Sequence, residues 1–101
     1  MSVIKLNKEN FDEIIGGEKK VLIDFYADWC GPCRMVSPII DEIAEENSEI
    51  AVCKVNVDEN PDLAGKFGIM SIPTIVVMEK GEIINKSMGA KPKAQILAML
   101  G

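Results

Sequence analysis

The chain is predicted to fold as one α/β domain, a mixed sheet with helices on both faces, and three observations point there. Its 101 residues suffice for one hydrophobic core and not for two, so residues 1–101 are expected to form a single domain. Lys20 to Ala27 is a nearly continuous apolar run interrupted only by Asp24, the pattern of a strand covered on both faces. Val36, Ile39, Ile40, Ile43 and Ala44 then recur at helical spacing, with Asp41, Glu42, Glu45 and Glu46 on the other side, before a second strand-like run from Ile50 to Val57. Strand, helix and strand in that order make a β-α-β unit with a parallel pair.

The remaining elements follow from local signals. An early helix is expected after Asn7 as its cap, with Phe11, Ile14 and Ile15 on one face and Gly16-Gly17 ending it. Pro38 falls inside the central helix, where a proline removes one backbone bond and kinks the axis. Asn60-Pro61 reads as a cap and first-turn proline, with Leu63 and Phe67 inward and Gly68 as the stop. Thr74 to Met78 and Glu82 to Met88 flank Lys80-Gly81, a hairpin signal. Pro92 opens a last short helix carrying Ile96, Leu97 and Leu100. The expected order is β-α-β-α-β-α-β-β-α, with no linker or repeat.

Composition narrows the function. A net charge of −5 speaks against nucleic acid, which calls for a basic face. The N-terminal stretch Met1-Ser2-Val3-Ile4-Lys5-Leu6-Asn7 turns polar too early for a signal peptide, and no apolar run approaches the roughly 20 residues of a membrane helix. The expected setting is therefore the reducing cytoplasm, away from membranes, where lasting structural disulfides are rare.

Trp29-Cys30-Gly31-Pro32-Cys33 carries the chemistry. Residues i and i+3 in a first helical turn come close enough for a disulfide, whose Cα atoms sit about 4.4–6.8 Å apart. So small a ring adds little loop entropy, so the bond is better read as one that opens and closes. A structural zinc normally takes four Cys or His ligands. The chain has no histidine and one further cysteine, so it offers no complete zinc site of its own, leaving interchain zinc as the remaining metal alternative. The missing histidine also removes Cys-His nucleophilic catalysis, and activation of a thiolate falls to the helix start, whose free N–H groups favour an anion. Cys30 is expected to attack and Cys33, one turn further in and more buried, to resolve. Pro32 has no N–H to lose in a first turn, and Gly31 lets a partner approach closely.

Asp24 is costly in an apolar strand unless paired or protonated. It is either a solvated strand-end residue or a buried carboxyl with raised pKa that exchanges a proton with a nearby thiol. Lys54 similarly interrupts the second strand, as a solvated edge residue or as a partner for Asp24. Cys53 reads as core. For Ile72-Pro73 the base rate of a cis bond, about 5–6%, favours trans.

With these residues in place the chain resembles the thioredoxin family over nearly its whole length. Val21-Leu22-Ile23-Asp24-Phe25-Tyr26-Ala27 followed by Trp29-Cys30-Gly31-Pro32-Cys33, the helix proline Pro38, Lys54-Val55-Asn56-Val57-Asp58 with Asn60-Pro61, Ile72-Pro73-Thr74, and Gly89-Ala90 all match at consistent spacing. The resemblance implies a five-stranded sheet in the order 1-3-2-4-5, the last two strands antiparallel to the central ones, under four helices. It further implies a functional Asp24, a cis bond at Pro73 and Lys54 as an electrostatic neighbour of Asp24. Two positions depart from the common pattern: Tyr26 stands where many relatives carry tryptophan, and Met70-Ser71 differs from the usual pair before Ile72.

The function this implies is a general protein-disulfide reductant, an electron carrier with no bound cofactor beyond the Cys30–Cys33 couple. Cys30 attacks a target disulfide, Cys33 resolves the mixed disulfide, and Asp24 assists proton transfer, supported by Lys54, Gly31, Pro32 and Pro73. Trp29, Met70, Ile72, Pro73 and Gly89 are expected to grip the target, with strand-like backbone pairing beside Pro73. The expected partners are disulfide-containing proteins and a separate thioredoxin reductase, with the chain acting as a monomer. No glycine-rich nucleotide motif is present for binding the electron-donating cofactor directly. An oxidant or isomerase on the same fold, and a purely binding role for the same apolar rim, are the rival readings.

Overall fold

The computed structural model describes residues 2–101; Met1, part of the N-terminal stretch considered above, lies outside them. The elements are β1 (Ile4–Lys5), α1 (Phe11–Ile15), β2 (Val21–Tyr26), α2 (Gly31–Glu46), β3 (Ala51–Asn56), α3 (Pro61–Lys66), β4 (Thr74–Glu79), β5 (Glu82–Met88) and α4 (Lys93–Met99). Their order is the expected one, and the strands form one sheet ordered β1-β3-β2-β4-β5. β1, β3 and β2 run parallel, with Asp24 opposite Lys54 in the β2–β3 register. β4 runs antiparallel to β2, and β5 antiparallel to β4. Of the last two strands, then, only β4 opposes the central pair: the tight hairpin turns β5 back into the direction of β2, correcting the expectation that both would oppose it.

Because β2 lies inside the sheet with helices on both sides, successive residues feed two separate cores. Val21, Ile23 and Phe25 pack with Phe11, Ile15, Cys53 and Phe67 on the face covered by α1 and α3. Leu22 packs with Val36, Ile40, Ile43 and Ile96 on the face covered by α2 and α4. Cys53 is fully buried, as expected, and burial pushes its thiol up to about 12. Asp24 shares the parity of Leu22, which turns its side chain toward α2.

The helix ends differ from expectation in detail. α1 begins at Phe11, with Asn10 rather than Asn7 at the cap position. Asn7 closes the preceding turn instead: its Oδ1 accepts from the N–H groups of Glu9 (2.9 Å) and Asn10 (3.0 Å), and Asn10 Oδ1 accepts from the Asn7 N–H (2.8 Å). A short polar side chain serves a turn as well as a helix, so its presence alone does not place the helix start. α2 runs through Pro38, which is exposed. α3 starts at Pro61 after Asn60, and Gly68 ends it in the left-handed region at φ 63°. The Lys80-Gly81 turn has positive φ at both positions (53° and 80°), which is the two-residue hairpin geometry that follows the twist of the strands.

Candidate active site

β2 ends at Tyr26, and the chain crosses Ala27 to Trp29 before entering α2 with Cys30 as its N-cap residue. Cys30 and Cys33 are joined by a disulfide, their Cα atoms 5.3 Å apart. The Cys33 backbone N–H donates to Cys30 Sγ at 3.2 Å. Since the first N–H groups of a helix have no partners within it, one of them here is aimed at the sulfur that would carry negative charge after reduction. No acidic side chain lies in the first turn of this 16-residue helix to oppose that charge. Pro32 occupies a position where no N–H is required, and a Cβ at Gly31 would meet nothing within 4 Å, which leaves open approach at this corner.

The expectation that Cys33 would be more buried than Cys30 fails: the two are 3% and 4% exposed. Both sulfurs sit in one small cluster with Ala27, against Tyr26, Val57 and Ile72, and a covalent link brings them to similar depth. Position distinguishes them better than depth. Cys30 Sγ lies 3.9 Å from the carbonyl oxygen of Ile72, at the loop that leads into β4.

That loop holds the cis Ile72–Pro73 bond, in the form the resemblance implied and against the base rate. Thr74 Oγ1 donates to the Ser71 carbonyl (2.7 Å), and the Gly89 N–H donates to the Pro73 carbonyl (2.8 Å). Gly89 has φ 90°, a conformation costly for any other residue, and it closes the end of β5 against the loop. Pro73 itself is buried, so whatever it contributes to a binding surface passes through its backbone neighbours. The Ile72 N–H and carbonyl make no backbone hydrogen bond among the described residues.

Around the sulfurs, Trp29 is 69% exposed and Met70 94%. The Trp29 indole N–H donates to Asp58 at 2.8 Å, which fixes the ring. Asp58 is in turn held by its own N–H, which donates to Asn56 Oδ1 at 2.9 Å. Trp29, Val57, Ala64, Ile69, Met70 and Ile72 line an apolar groove of about 360 Å³. Met35, one turn into α2 and 70% exposed, adds apolar surface that helical periodicity did not single out, because it lies off the buried stripe. Asp58 likewise carried no signal for an indole 29 positions away.

Asp24 is buried, 1% exposed, and neither carboxyl oxygen has a hydrogen-bond partner. Loss of water pushes its carboxyl from 3.8 to about 7, against the pull of the Lys54 ammonium and with a further push from the Asp41 charge. The solvated strand-end reading of Asp24 is therefore excluded. Lys54 is neither an edge residue nor hydrogen-bonded to Asp24: it sits in β3, inside the sheet, and its Nζ donates to Ser37 Oγ (2.5 Å) and pairs with Asp41 (3.2 Å), both on α2. Sequence spacing placed Asp41 on the solvent side of its helix and gave no sign of this contact.

Among the described residues, no group of three or more His, Cys, Asp or Glu side chains is arranged to hold a metal ion, and no helix is long and apolar enough to cross a membrane. A family model described as "Thioredoxin" matches residues 2–101. A protein named "Thioredoxin" from Pyropia yezoensis is 48% identical, the match covering 99% of this chain and 95% of that protein. Others of the same name are 45% identical in Alicyclobacillus acidocaldarius subsp. acidocaldarius, over 98% of this chain and 95% of the relative, and 43% identical in Staphylococcus haemolyticus, over 99% and 96%.

Proposed function

The chain belongs to the thioredoxin family of thiol-disulfide oxidoreductases, and we propose that it reduces protein disulfides with Cys30 as nucleophile, Cys33 as resolving thiol and Asp24 as proton acceptor. The observation that carries this is the placement of Cys30 at the start of α2, its sulfur receiving the Cys33 N–H beside the Ile72 carbonyl. In the reduced protein the Cys30 thiolate attacks one sulfur of a target disulfide, and the other sulfur departs as a thiolate that takes up a proton. Cys33 then passes its proton to the Asp24 carboxylate and attacks Cys30, expelling the second target sulfur, which is protonated in turn. Two electrons and two protons have moved to the target, and Cys30–Cys33 is left oxidised. With a pKa of about 7, Asp24 exists in both forms near neutrality, as a proton acceptor must.

The target lies across Trp29, Met70 and Ile72, in the groove beside them, with the Ile72 N–H and carbonyl, neither taken up by backbone, available to an extended segment. Gly31, Pro32, Pro73 and Gly89 support the site by shaping its backbone, and Lys54 by its charge. Electrons return from a separate reductase, and the protein works in the cytoplasm as a monomeric electron carrier.

Insulin reduction with dithiothreitol as donor is the test. Cys30→Ser is expected to fall to background, and Cys33→Ser to accumulate mixed disulfides with its targets. A Cys30→Ser protein that still reduced insulin above background would overturn the assignment.

A further inference from the structure

Lys54 stands between two carboxylates and is bonded to only one of them. Parallel register places it directly opposite Asp24, so the two side chains leave the sheet on the same face. Its ammonium nevertheless lies on α2, donating to Ser37 Oγ and paired with Asp41, while both Asp24 oxygens stay without a partner. Ser37 and Asp41 are four residues apart, hence neighbours on one helix face, and together they form a two-point hold on a single cation. We propose that Ser37 and Asp41 are positioning residues, which draw the Lys54 ammonium onto α2 so that Asp24 is left unpaired and able to carry a proton during resolution of the mixed disulfide.

Asp24 and the Ser37–Asp41 pair compete for one cation. A carboxylate that gains a hydrogen-bonded ammonium is held in its charged form and becomes a poor proton carrier. Lys54 is inside the sheet with 16% of its side chain exposed, whereas Asp41 is 57% exposed. Lys54 shares the wall of a cavity with Asp28 and Glu59, but Asp24 is the carboxylate directly opposite it in the β2–β3 register, so cutting the hold leaves Asp24 as the anion on its own sheet face toward which the ammonium can turn. Other groups around Asp24 do not replace this control. β4 presents the apolar Ile75 opposite it. Lys93 of α4 is tied to Glu42 and Glu46. Tyr26, two positions along β2, is itself shifted upward, chiefly by burial, and Cys33 is in the disulfide.

The inference rests on Asp24 acting as the proton acceptor, and its test separates the two ideas. The Asp24 carboxyl is titrated by carbon-13 NMR in the oxidised protein, for Ser37→Ala, Asp41→Asn and the double variant, each with Lys54 and with Lys54→Met. Ser37→Ala removes one half-buried hydroxyl and changes no charge, so it reports on the hold without altering the net field. With Lys54 present, each single variant is expected to lower the titration midpoint, the double by a factor of about three or more in dissociation constant. With Lys54→Met, Ser37→Ala is expected to do nothing, and Asp41→Asn to keep only its smaller through-space effect. An unmoved midpoint in Ser37→Ala and Asp41→Asn, or shifts that persist undiminished without Lys54, would overturn the proposal. The acid limb of the resolving rate, measured in single turnover, is expected to move to lower pH with the midpoint. If the midpoint moves and that limb does not, the hold stands and the role given to Asp24 falls.

Discussion

At Met70 the chain leaves 94% of a flexible apolar side chain in water, next to an indole that is held still. The two serve one surface in different ways. Trp29, tied to Asp58, offers a fixed ring at little further entropic cost, whereas Met70 has three rotatable bonds and a polarizable thioether that adapts to differently shaped targets. Met70, 94% exposed, lies outside the buried disulfide cluster, so shortening it is expected to affect recognition more than chemistry. Met70→Ala is expected to raise KM for a protein disulfide roughly fivefold, the effect of losing about 1 kcal/mol at an interface. The rate at which Cys30 is alkylated by iodoacetamide should stay at the parent value. Steady-state insulin reduction beside that alkylation rate checks it, and a parallel fall in both would mean that Met70 shapes the sulfur rather than the target.

Among the elements, the β4–β5 hairpin departs most from its sequence ideal. Its turn demands positive φ at two successive positions, and Lys80 meets the first at 53° although a Cβ disfavours it. Lys80→Asn is expected to stabilise the protein by up to about 1 kcal/mol, since asparagine tolerates this region and Asn-Gly is the favoured pair. Urea unfolding should show a higher midpoint at unchanged slope; an unchanged midpoint would show that strand pairing alone sets the hairpin's stability. The same turn shows how sequence and structure relate here. Lys80-Gly81 was enough to place the hairpin, and apolar runs placed β2, β3 and α2, because local patterns and burial agree there. The direction of β5 relative to β2 depends on a partner strand, and the Asn7 turn on which of several N–H groups an oxygen reaches; neither is a property of a local window. At the site, the cysteines, Asp24 and the Pro73 loop were legible from motif and resemblance. Asp58 beneath Trp29, and Ser37 and Asp41 upon Lys54, were not, since each contact joins elements distant in sequence and uses residue types ordinary on any surface.

For the molecule as a whole, the consequence of Asp24 is that the site works against the stability of the fold. Its carboxyl titrates at about 7 when folded, against the ordinary value of 3.8. Below 3.8 it is protonated in both states and contributes nothing to the pH dependence. Between 3.8 and about 7 the folded state keeps a proton that the unfolded state has lost, so raising the pH favours unfolding. Above about 7 the folded state carries a buried charge with neither oxygen hydrogen-bonded, and the loss is complete. A shift of some three units corresponds to about 4 kcal/mol, a large share of the roughly 5–15 kcal/mol typical of a whole domain. Among the described residues, the other buried titratable side chain outside the disulfide, Cys53, is pushed up to about 12 and stays neutral throughout this range, so Asp24 dominates the slope. Asp24→Asn keeps the size of the side chain and removes its charge. Relative to the parent, its unfolding free energy is expected to rise by about 4 kcal/mol from pH 4 to pH 8 and to change little above that. Chemical denaturation of both oxidised proteins across this range measures the difference directly. A difference independent of pH would mean that water or Lys54 reaches the carboxylate once it ionises, and that the proton-accepting form of Asp24 costs the fold far less than its burial requires.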